Sequence, residues 1–210
     1  MNSALATALL MSAAAASTGS DALVDAGAVV PGLVLELRYA TDDNFLHRAV
    51  YPRDARCLLR QKVALRLGEV ARDLAAQKLR LKVYDCYRPL SVQEEMWRAF
   101  PHEGYVANPA KGSMHNRGGA VDVTLVREDG TPLPMPTAFD DFTAAAHHDS
   151  RACSREAQAN RALLREAMQR RGFRLNPKEW WHYSAPESLS YPLTDEKARK
   201  GDRLLFPPRV

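Results

Sequence analysis

Apolar residues recur at steps of three and four in two stretches of the chain, and this period predicts two long amphipathic helices. The second stretch covers residues 154–171, and Gly172 is positioned to cap the C-terminus of its helix. A shorter helix is predicted to begin at Ser91, because Ser91 and Glu94 have the spacing of a capping box, and to end near Phe100. The first stretch carries its apolar face on Leu59, Val63, Leu67, Val70 and Leu74.

Runs of β-forming residues predict strands between these helices, and the Asp-Gly pair at 129–130 predicts a hairpin turn. Strands interleaved with a few helices indicate an α+β domain with a central antiparallel sheet flanked by helices. The chain has 210 residues, of which 46% are hydrophobic, and its composition does not shift along its length. We therefore expect one domain over residues 25–210. The predicted strands cover residues 33–39, 79–84, 120–126 and 179–183.

The distribution of charge gives no sign of a nucleic-acid-binding surface. The formal net charge is +4, and the basic residues are interleaved with acidic ones, as on a solvated surface. No nucleic-acid partner is therefore expected.

Residues 1–20 carry no charged side chain and combine an apolar run with small residues. This composition predicts a secretory signal peptide that is cleaved after one of residues 14–16. No Lys or Arg precedes the apolar run, so an Ala-rich helical or frayed N-terminus is the alternative. The run is too short and too rich in Ala and Ser for a membrane span. We expect a periplasmic or secreted protein if the signal is cleaved, and a cytoplasmic one otherwise.

The candidate chemistry is concentrated in residues 113–122, where His115 and Asp122 lie on either side of a Gly-Gly pair. Glycines allow the backbone to fold back after His115, so that residues far apart along an extended chain can converge. A second cluster, residues 179–182, contributes Glu179 and His182. A catalytic zinc site takes three nitrogen or oxygen ligands and keeps a position for water, which needs a nearby base. We predict one Zn²⁺ held by His115, Asp122 and His182, with Glu179 as the base.

Each cluster has a simpler interpretation when it is taken alone. A histidine before Gly-Gly is often a turn residue, and an aspartate in a strand is sometimes a hydrogen-bonded structural group. The metal interpretation is favoured because the two clusters are complementary in role.

The pattern Ser-x-His-x-x-Gly-x-Ala-x-Asp, followed downstream by Glu-x-Trp-His, resembles that of the zinc D,D-peptidases, and specifically the VanX-type D-alanyl-D-alanine dipeptidases. The resemblance extends from about Leu33 to Tyr183. It implies the small D,D-peptidase or hedgehog-like fold and a zinc-dependent hydrolysis of a free dipeptide, D-alanyl-D-alanine, to two D-alanines. Its small-molecule substrate would be the partner of the protein; the sequence does not indicate an oligomeric state.

Arg88 follows a predicted strand, where its guanidinium would stabilise the oxyanion that forms during amide hydrolysis. The Tyr-Arg-Pro pattern around it also matches the VanX-type enzymes; a surface ion pair is the alternative. The resemblance further implies that Tyr39 and Asp140 bind the ammonium group of the dipeptide. Ser113 is predicted to donate a hydrogen bond to substrate, and a loop-capping hydroxyl is its alternative. The resemblance also places His147 and His148 in a stretch that lines the substrate pocket, although adjacent residues are poorly placed to chelate one ion.

Three cysteines, Cys57, Cys86 and Cys153, do not form a zinc pattern. In an exported protein Cys57 and Cys86 could form a disulfide, with Cys153 left free. Two other functions remain open at this point. One is a zinc D,D-carboxypeptidase or peptidoglycan endopeptidase, which an open groove in place of the Tyr39 and Asp140 pair would favour. The other is a non-catalytic zinc-binding module, which would need neither Glu179 nor Arg88.

Overall fold

The computed structural model describes residues 22–195, and the predicted signal segment 1–20 lies outside them. A five-stranded sheet has the order β2-β4-β5-β7-β6, and a separate antiparallel pair is formed by β1 and β3. All pairs in the large sheet are antiparallel except β2 with β4, which is parallel. The strands are β1 (Leu23–Asp25), β2 (Val34–Leu35), β3 (Leu58–Arg60), β4 (Leu79–Asp85), β5 (Ala120–Arg127), β6 (Arg174–Asn176) and β7 (Glu179–Ser184). The helices are α1 (Ala26–Val29), α2 (Gln61–Ala75), α3 (Leu90–Ala99) and α4 (Arg155–Arg170).

The main core lies between the sheet and the two long helices. Alternate residues of the central strands, such as Val83 in β4 and Val123 in β5, pack with Leu67 of α2 and Leu164 of α4. A smaller cluster joins α3 to the loops that precede β3, through Met96 and its neighbours. The predicted α+β domain with a mainly antiparallel sheet is therefore confirmed.

Local sequence accounts for the two long helices. Ser154 caps α4 by accepting a hydrogen bond from the amide of Ala157, and Gly172 follows the helix with a φ of 81° that favours glycine. The buried face of α2 contains the predicted apolar positions Val63, Leu67 and Val70, whereas Leu59, which was predicted to belong to the same face, lies in β3. No helix within residues 22–195 combines the length and the apolar character needed to cross a bilayer.

Two local predictions were wrong. The strand predicted over residues 33–39 is reduced to Val34–Leu35, because the chain turns into a 3-10 helix at Arg38–Ala40 that carries Tyr39 away from the sheet. The capping box at Ser91 is also absent: α3 begins at Leu90, directly after Pro89, without a side-chain cap. Pro89 is the N-cap residue, with an extended ψ of 146°, so the helix begins one residue earlier than predicted.

Candidate active site

Three neighbouring strands bring acidic and imidazole side chains into one row across the sheet. Asp122 of β5 is the direct partner of His182 on β7 and, on its other side, of Asp85 on β4. Directly opposite residues in antiparallel strands have side chains on the same face of the sheet. Strand pairing therefore places two of the predicted metal ligands side by side, although 60 residues separate them in the sequence.

His115 reaches the same point from a turn before β5. It begins a 3-10 helix, His115–Arg117, which is followed by the C-cap residue Gly118, whose φ of 66° lies in the left-handed region that favours glycine. The next residue, Gly119, passes so close to Ser188 that a Cβ atom would lie 2.5 Å from the Ser188 hydroxyl oxygen. The Gly-Gly pair thus permits both the reversal of the chain and its close packing.

The three predicted ligand atoms converge. His182 Nδ1 lies 3.0 Å from Asp122 Oδ1 and 3.1 Å from His115 Nε2, and the third separation, from His115 Nε2 to Asp122 Oδ1, is 3.3 Å. Ligand atoms of a tetrahedral zinc, each about 2.0–2.2 Å from the ion, lie about 3.4 Å apart. This cluster of described residues therefore fits one zinc ion.

The surroundings of the cluster also suit a metal. The imidazole Nδ1 of His115 donates a hydrogen bond to the Cys86 carbonyl at 2.6 Å, which leaves the Nε2 lone pair directed at the cluster. Burial alone would raise the pKa of Asp122, but the neighbouring His115 and His182 rings lower it well below its usual value. Asp122 is consequently ionised, as a ligand must be.

Glu179 lies beside this cluster because β7 is irregular. Leu175 pairs with Tyr183, but the next residue of β6, Asn176, pairs with Glu179. This shift of register allows Glu179 to lie on the same side as His182, with Glu179 Oε2 3.9 Å from His182 Nδ1. In a regular strand residues three apart would point to opposite faces. The irregular register at the start of β7 therefore brings Glu179 beside the predicted metal ligands.

The carboxylate of Glu179 is buried and accepts a hydrogen bond from Asn176 Nδ2 at 2.8 Å. Burial is the main cause that raises the pKa of Glu179 to about 7, although the nearby His182 lowers it. A carboxylate with a pKa near neutrality can both accept and return a proton at physiological pH.

Arg88 is held rigidly at the wall of the cavity. Its Nε and Nη2 donate to Asp85 Oδ2 at 3.0 and 2.7 Å, and its Nη1 donates to Gln93 Oε1 at 2.9 Å. The guanidinium also lies 5.3 Å from the centre of the Tyr39 ring. Arg88 also lines the cavity, so its positive charge lies beside the space that a substrate would occupy.

Asp140 and Tyr39 both line the cavity and contact each other. The Tyr39 hydroxyl donates to Asp140 Oδ1 at 3.0 Å, and the amide of Phe45 donates to Asp140 Oδ2 at 3.2 Å. The backbone of Asp140 is left-handed, with a φ of 61°. Burial is the main cause that raises the pKa of Asp140 to about 7, and the two hydrogen bonds act in the opposite direction.

Ser113 lines the same cavity, and its hydroxyl accepts a hydrogen bond from the amide of His115 at 3.2 Å. The hydroxyl therefore has the loop-capping contact that was the alternative to substrate binding, while its proton stays available to a ligand.

The cavity has a volume of about 340 Å³, within the range of about 300–1,000 Å³ that is usual for small-molecule sites. It contains all eight residues predicted to form the site, together with aromatic side chains such as Phe142 and Trp181. His147 and His148 do not line it. His148 instead packs against Tyr183, at a distance of 5.9 Å between ring centres, whereas Asp140 and Phe142 of the same stretch do line the cavity.

The sequence analysis missed several polar residues that contact the predicted site residues, among them Asp85, Gln93 and Asn176. Asp85 had a detectable signal, because an aspartate three residues before an arginine at a strand end is well placed for an ion pair. The hydrogen bonds of Gln93 to Arg88 and of Asn176 to Glu179 depend on how the chain packs, and no local pattern indicated them.

Comparison with known proteins identifies the family of the chain. Residues 19–199 match the model of the peptidase M15 family, described as D-Ala-D-Ala dipeptidase. The chain is similar to a D-alanyl-D-alanine dipeptidase of Escherichia coli K12, with 39% identity over 171 residues that cover 81% of this chain and 88% of the relative. A dipeptidase of the same name from Enterococcus faecium is 32% identical, over 74% of this chain and 87% of its own length. Another, from Streptomyces coelicolor, is 33% identical, over 81% of this chain and 93% of its own length. The chain therefore belongs to the peptidase M15 family of zinc-dependent D-alanyl-D-alanine dipeptidases.

Proposed function

We propose that this protein hydrolyses the free dipeptide D-alanyl-D-alanine to two molecules of D-alanine. The observation that carries the proposal is the convergence of His115, Asp122 and His182 beside Glu179, in a cavity that is also lined by Asp140. Metal, base and ammonium-binding groups would thus face one small cavity. One zinc ion bound by the three ligands is part of the proposal.

The zinc would act as a Lewis acid that polarises the scissile carbonyl and makes a water molecule more acidic. Glu179 would take a proton from the attacking water and return it to the amine that leaves. Its buried position and its pKa of about 7 support both transfers. The hydrogen bond from Asn176 to Oε2 would keep the carboxylate oriented beside the ligand cluster.

Arg88 would stabilise the negative charge that develops on the carbonyl oxygen. Its three hydrogen bonds to Asp85 and Gln93 fix the guanidinium before substrate arrives, so that little reorganisation is needed during the reaction.

Asp140 would bind the N-terminal ammonium of the dipeptide, with Tyr39 fixing the carboxylate. A longer or N-blocked peptide has no ammonium at this position and would leave the Asp140 carboxylate unpaired, which disfavours its binding. Ser113 would donate its hydroxyl proton to the substrate from the wall that carries His115.

The proposal is tested by measuring release of D-alanine from D-Ala-D-Ala and from N-acetyl-D-Ala-D-Ala by the zinc-loaded protein. We expect cleavage of the free dipeptide alone. The variant Glu179→Gln should keep its zinc and lose about 100- to 10,000-fold in kcat. Glu128→Gln, which changes an exposed carboxylate of the hairpin turn, is the matched control.

Cleavage of the blocked peptide would instead indicate a D,D-carboxypeptidase. A protein that binds zinc but cleaves neither compound would be a binding module, and the proposal would then be wrong.

We further propose that the protein is periplasmic or secreted. Structural disulfides persist mainly in oxidising compartments, and Cys57 and Cys86 are joined by one here. The charge-free segment at residues 1–20 supports the same location. N-terminal sequencing of the protein recovered from a periplasmic extract tests this: a start between residues 15 and 17 is expected, and retention of Met1 on a cytoplasmic protein would contradict it.

A further inference from the structure

We infer that the disulfide between Cys57 and Cys86 positions His115 for metal binding, through the backbone carbonyl of Cys86. The inference rests on the zinc site proposed above and concerns what maintains its geometry. It assigns to two cysteines a positioning role that is separate from their contribution to stability.

The disulfide lies directly after the last paired residue of β4. Strand β4 ends at Asp85, and its last paired residues are Asp85 and Asp122. The register of the β4–β5 pair is already irregular between Val83 and Asp85. Cys86 therefore lies outside the regular ladder, and the disulfide ties it to Cys57, just before β3, over a Cα–Cα distance of 5.2 Å. Both cysteines are almost completely buried.

The carbonyl of Cys86 contacts His115 directly. The imidazole Nδ1 of His115 donates to this oxygen at 2.6 Å, while Nε2 of the same ring faces Asp122 and His182. Movement of the carbonyl would rotate the imidazole and displace the ligand atom. Partners of this kind orient the metal ligands and tune their affinity.

Backbone hydrogen bonds connect the three segments that meet at this point. Tyr87 donates to the carbonyl of Leu58 at 2.9 Å, and Arg88 donates to the carbonyl of His115 at 3.2 Å. On the other side of the turn, Arg60 donates to the carbonyl of Gly118 at 2.9 Å. The segment before α2, the end of β4 and the turn that carries His115 thus form a ring of contacts, and the disulfide is its covalent link.

The same corner also fixes Arg88. The amide of Cys86 donates to Asp85 Oδ1 at 2.9 Å, while Asp85 Oδ2 accepts the two bonds from Arg88.

Reduction of the disulfide by a dithiol or a phosphine, which supplies two electrons, would produce two thiols after uptake of two protons. The Cys86 carbonyl would then be held only by hydrogen bonds, and metal affinity would fall.

The test compares zinc affinity in the wild type and in the double variant Cys57→Ala, Cys86→Ala, by competition with a chromophoric chelator. We expect a dissociation constant about 10- to 100-fold higher in the double variant, the range found when partners of metal ligands are altered. Cys153→Ala removes the remaining cysteine and should leave the constant unchanged. The visible spectrum of the cobalt-loaded proteins should also change only in the double variant.

An unchanged zinc constant in a folded double variant would overturn the inference and leave the disulfide with a purely stabilising role. If the double variant does not fold, the Cys153→Ala protein is compared before and after reduction by a phosphine. Faster transfer of zinc to the chelator after reduction would support the inference, and an unchanged rate would overturn it. A wild type that binds no zinc would instead contradict the proposed function.

Discussion

The carboxylate of Asp140 combines a strained backbone position with a pKa of about 7 and hydrogen bonds from Tyr39 and Phe45. If it binds the ammonium of the substrate, only its ionised form is effective. We therefore expect KM for D-Ala-D-Ala to rise as the pH falls from 8 to 6. Asp140→Asn should raise KM roughly 30- to 1,000-fold, the cost of removing one partner of a buried charge pair.

Steady-state kinetics across this pH interval check the prediction. The Asp140→Asn variant should lose the pH dependence of KM along with its affinity. A variant whose KM still rises on acidification as in the wild type would show that another group binds the ammonium.

The raised pKa of Asp140 also predicts a pH dependence of stability. Because its folded-state pKa of about 7 lies above the ordinary value of 3.8, the folded protein binds more protons between these values. The resulting stabilisation is present below about pH 4 and is lost as the pH rises through about 7. In thermal melts of the metal-free protein, raising the pH from 5 to 8 should therefore lower the Tm of the wild type relative to the Tm of Asp140→Asn. A constant difference between the two proteins would contradict this.

Gln93 is a fully buried positioning residue for Arg88. Its Oε1 accepts from Arg88, and its Nε2 donates to the carbonyl of Ala107 at 2.7 Å. Gln93→Leu keeps the approximate volume but frees one side of the guanidinium. We expect kcat to fall roughly 10- to 100-fold, because small displacements of a catalytic group are costly, while KM and zinc content stay unchanged. Glu94→Gln on the exposed face of α3 is the control, and a rise in KM at constant kcat would contradict the role.

At the scale of secondary structure elements, helices were easier to predict than strands. The periodic apolar residues of α2 and α4 identify both helices to within a few residues, because a 3.6-residue period over four turns is distinctive. The irregular register of β7 has no such signal. It depends on pairing with Asn176 of β6, and a regular strand would have placed Glu179 on the face opposite to His182.

The N-terminus of α4 allows a prediction that separates stability from catalysis. The hydroxyl of Ser154 accepts from the amide of Ala157 at 3.1 Å, and Ser154 does not line the cavity. Ser154→Ala should lower the free energy of unfolding by about 1 kcal/mol, and Tm by about 2–4 °C, because the helix loses its cap. Ser154→Asp should retain most of the stability, and kcat/KM should not change in either variant. Equal melting temperatures for Ser154→Ala and the wild type would contradict the capping role.

At the scale of the whole molecule, the site is assembled from segments that are distant in the sequence. The sequence pattern could predict that His115, Asp122 and His182 come together because zinc restricts which residue types serve as ligands. It could not identify the contact of the His115 ring with Cys86, which follows from the packing of two segments that are 29 residues apart. Residue chemistry therefore indicates the ligands, whereas the groups that orient them emerge only from the fold.

This assembly couples metal binding to the stability of the whole domain. The proposed ligands lie on β5, on β7 and in the turn before β5, and they converge only when these segments are in place. Zinc at about 100 times its dissociation constant should add about 2.7 kcal/mol to the free energy of unfolding, since it binds the folded state selectively. For a chain of this size that corresponds to a rise in Tm of about 5–10 °C.

Calorimetry or circular dichroism of the metal-free and zinc-loaded protein measures this rise in Tm. Asp122→Asn removes a charged ligand but keeps the size of the side chain, so the zinc-dependent rise should shrink or disappear in this variant. Asp129→Asn, an exposed change in the hairpin turn, should keep the full rise. A rise in Tm that is equal in Asp122→Asn and the wild type would locate the stabilising metal elsewhere, because a zinc ion that no longer has its anionic ligand cannot bind the folded state with the same selectivity.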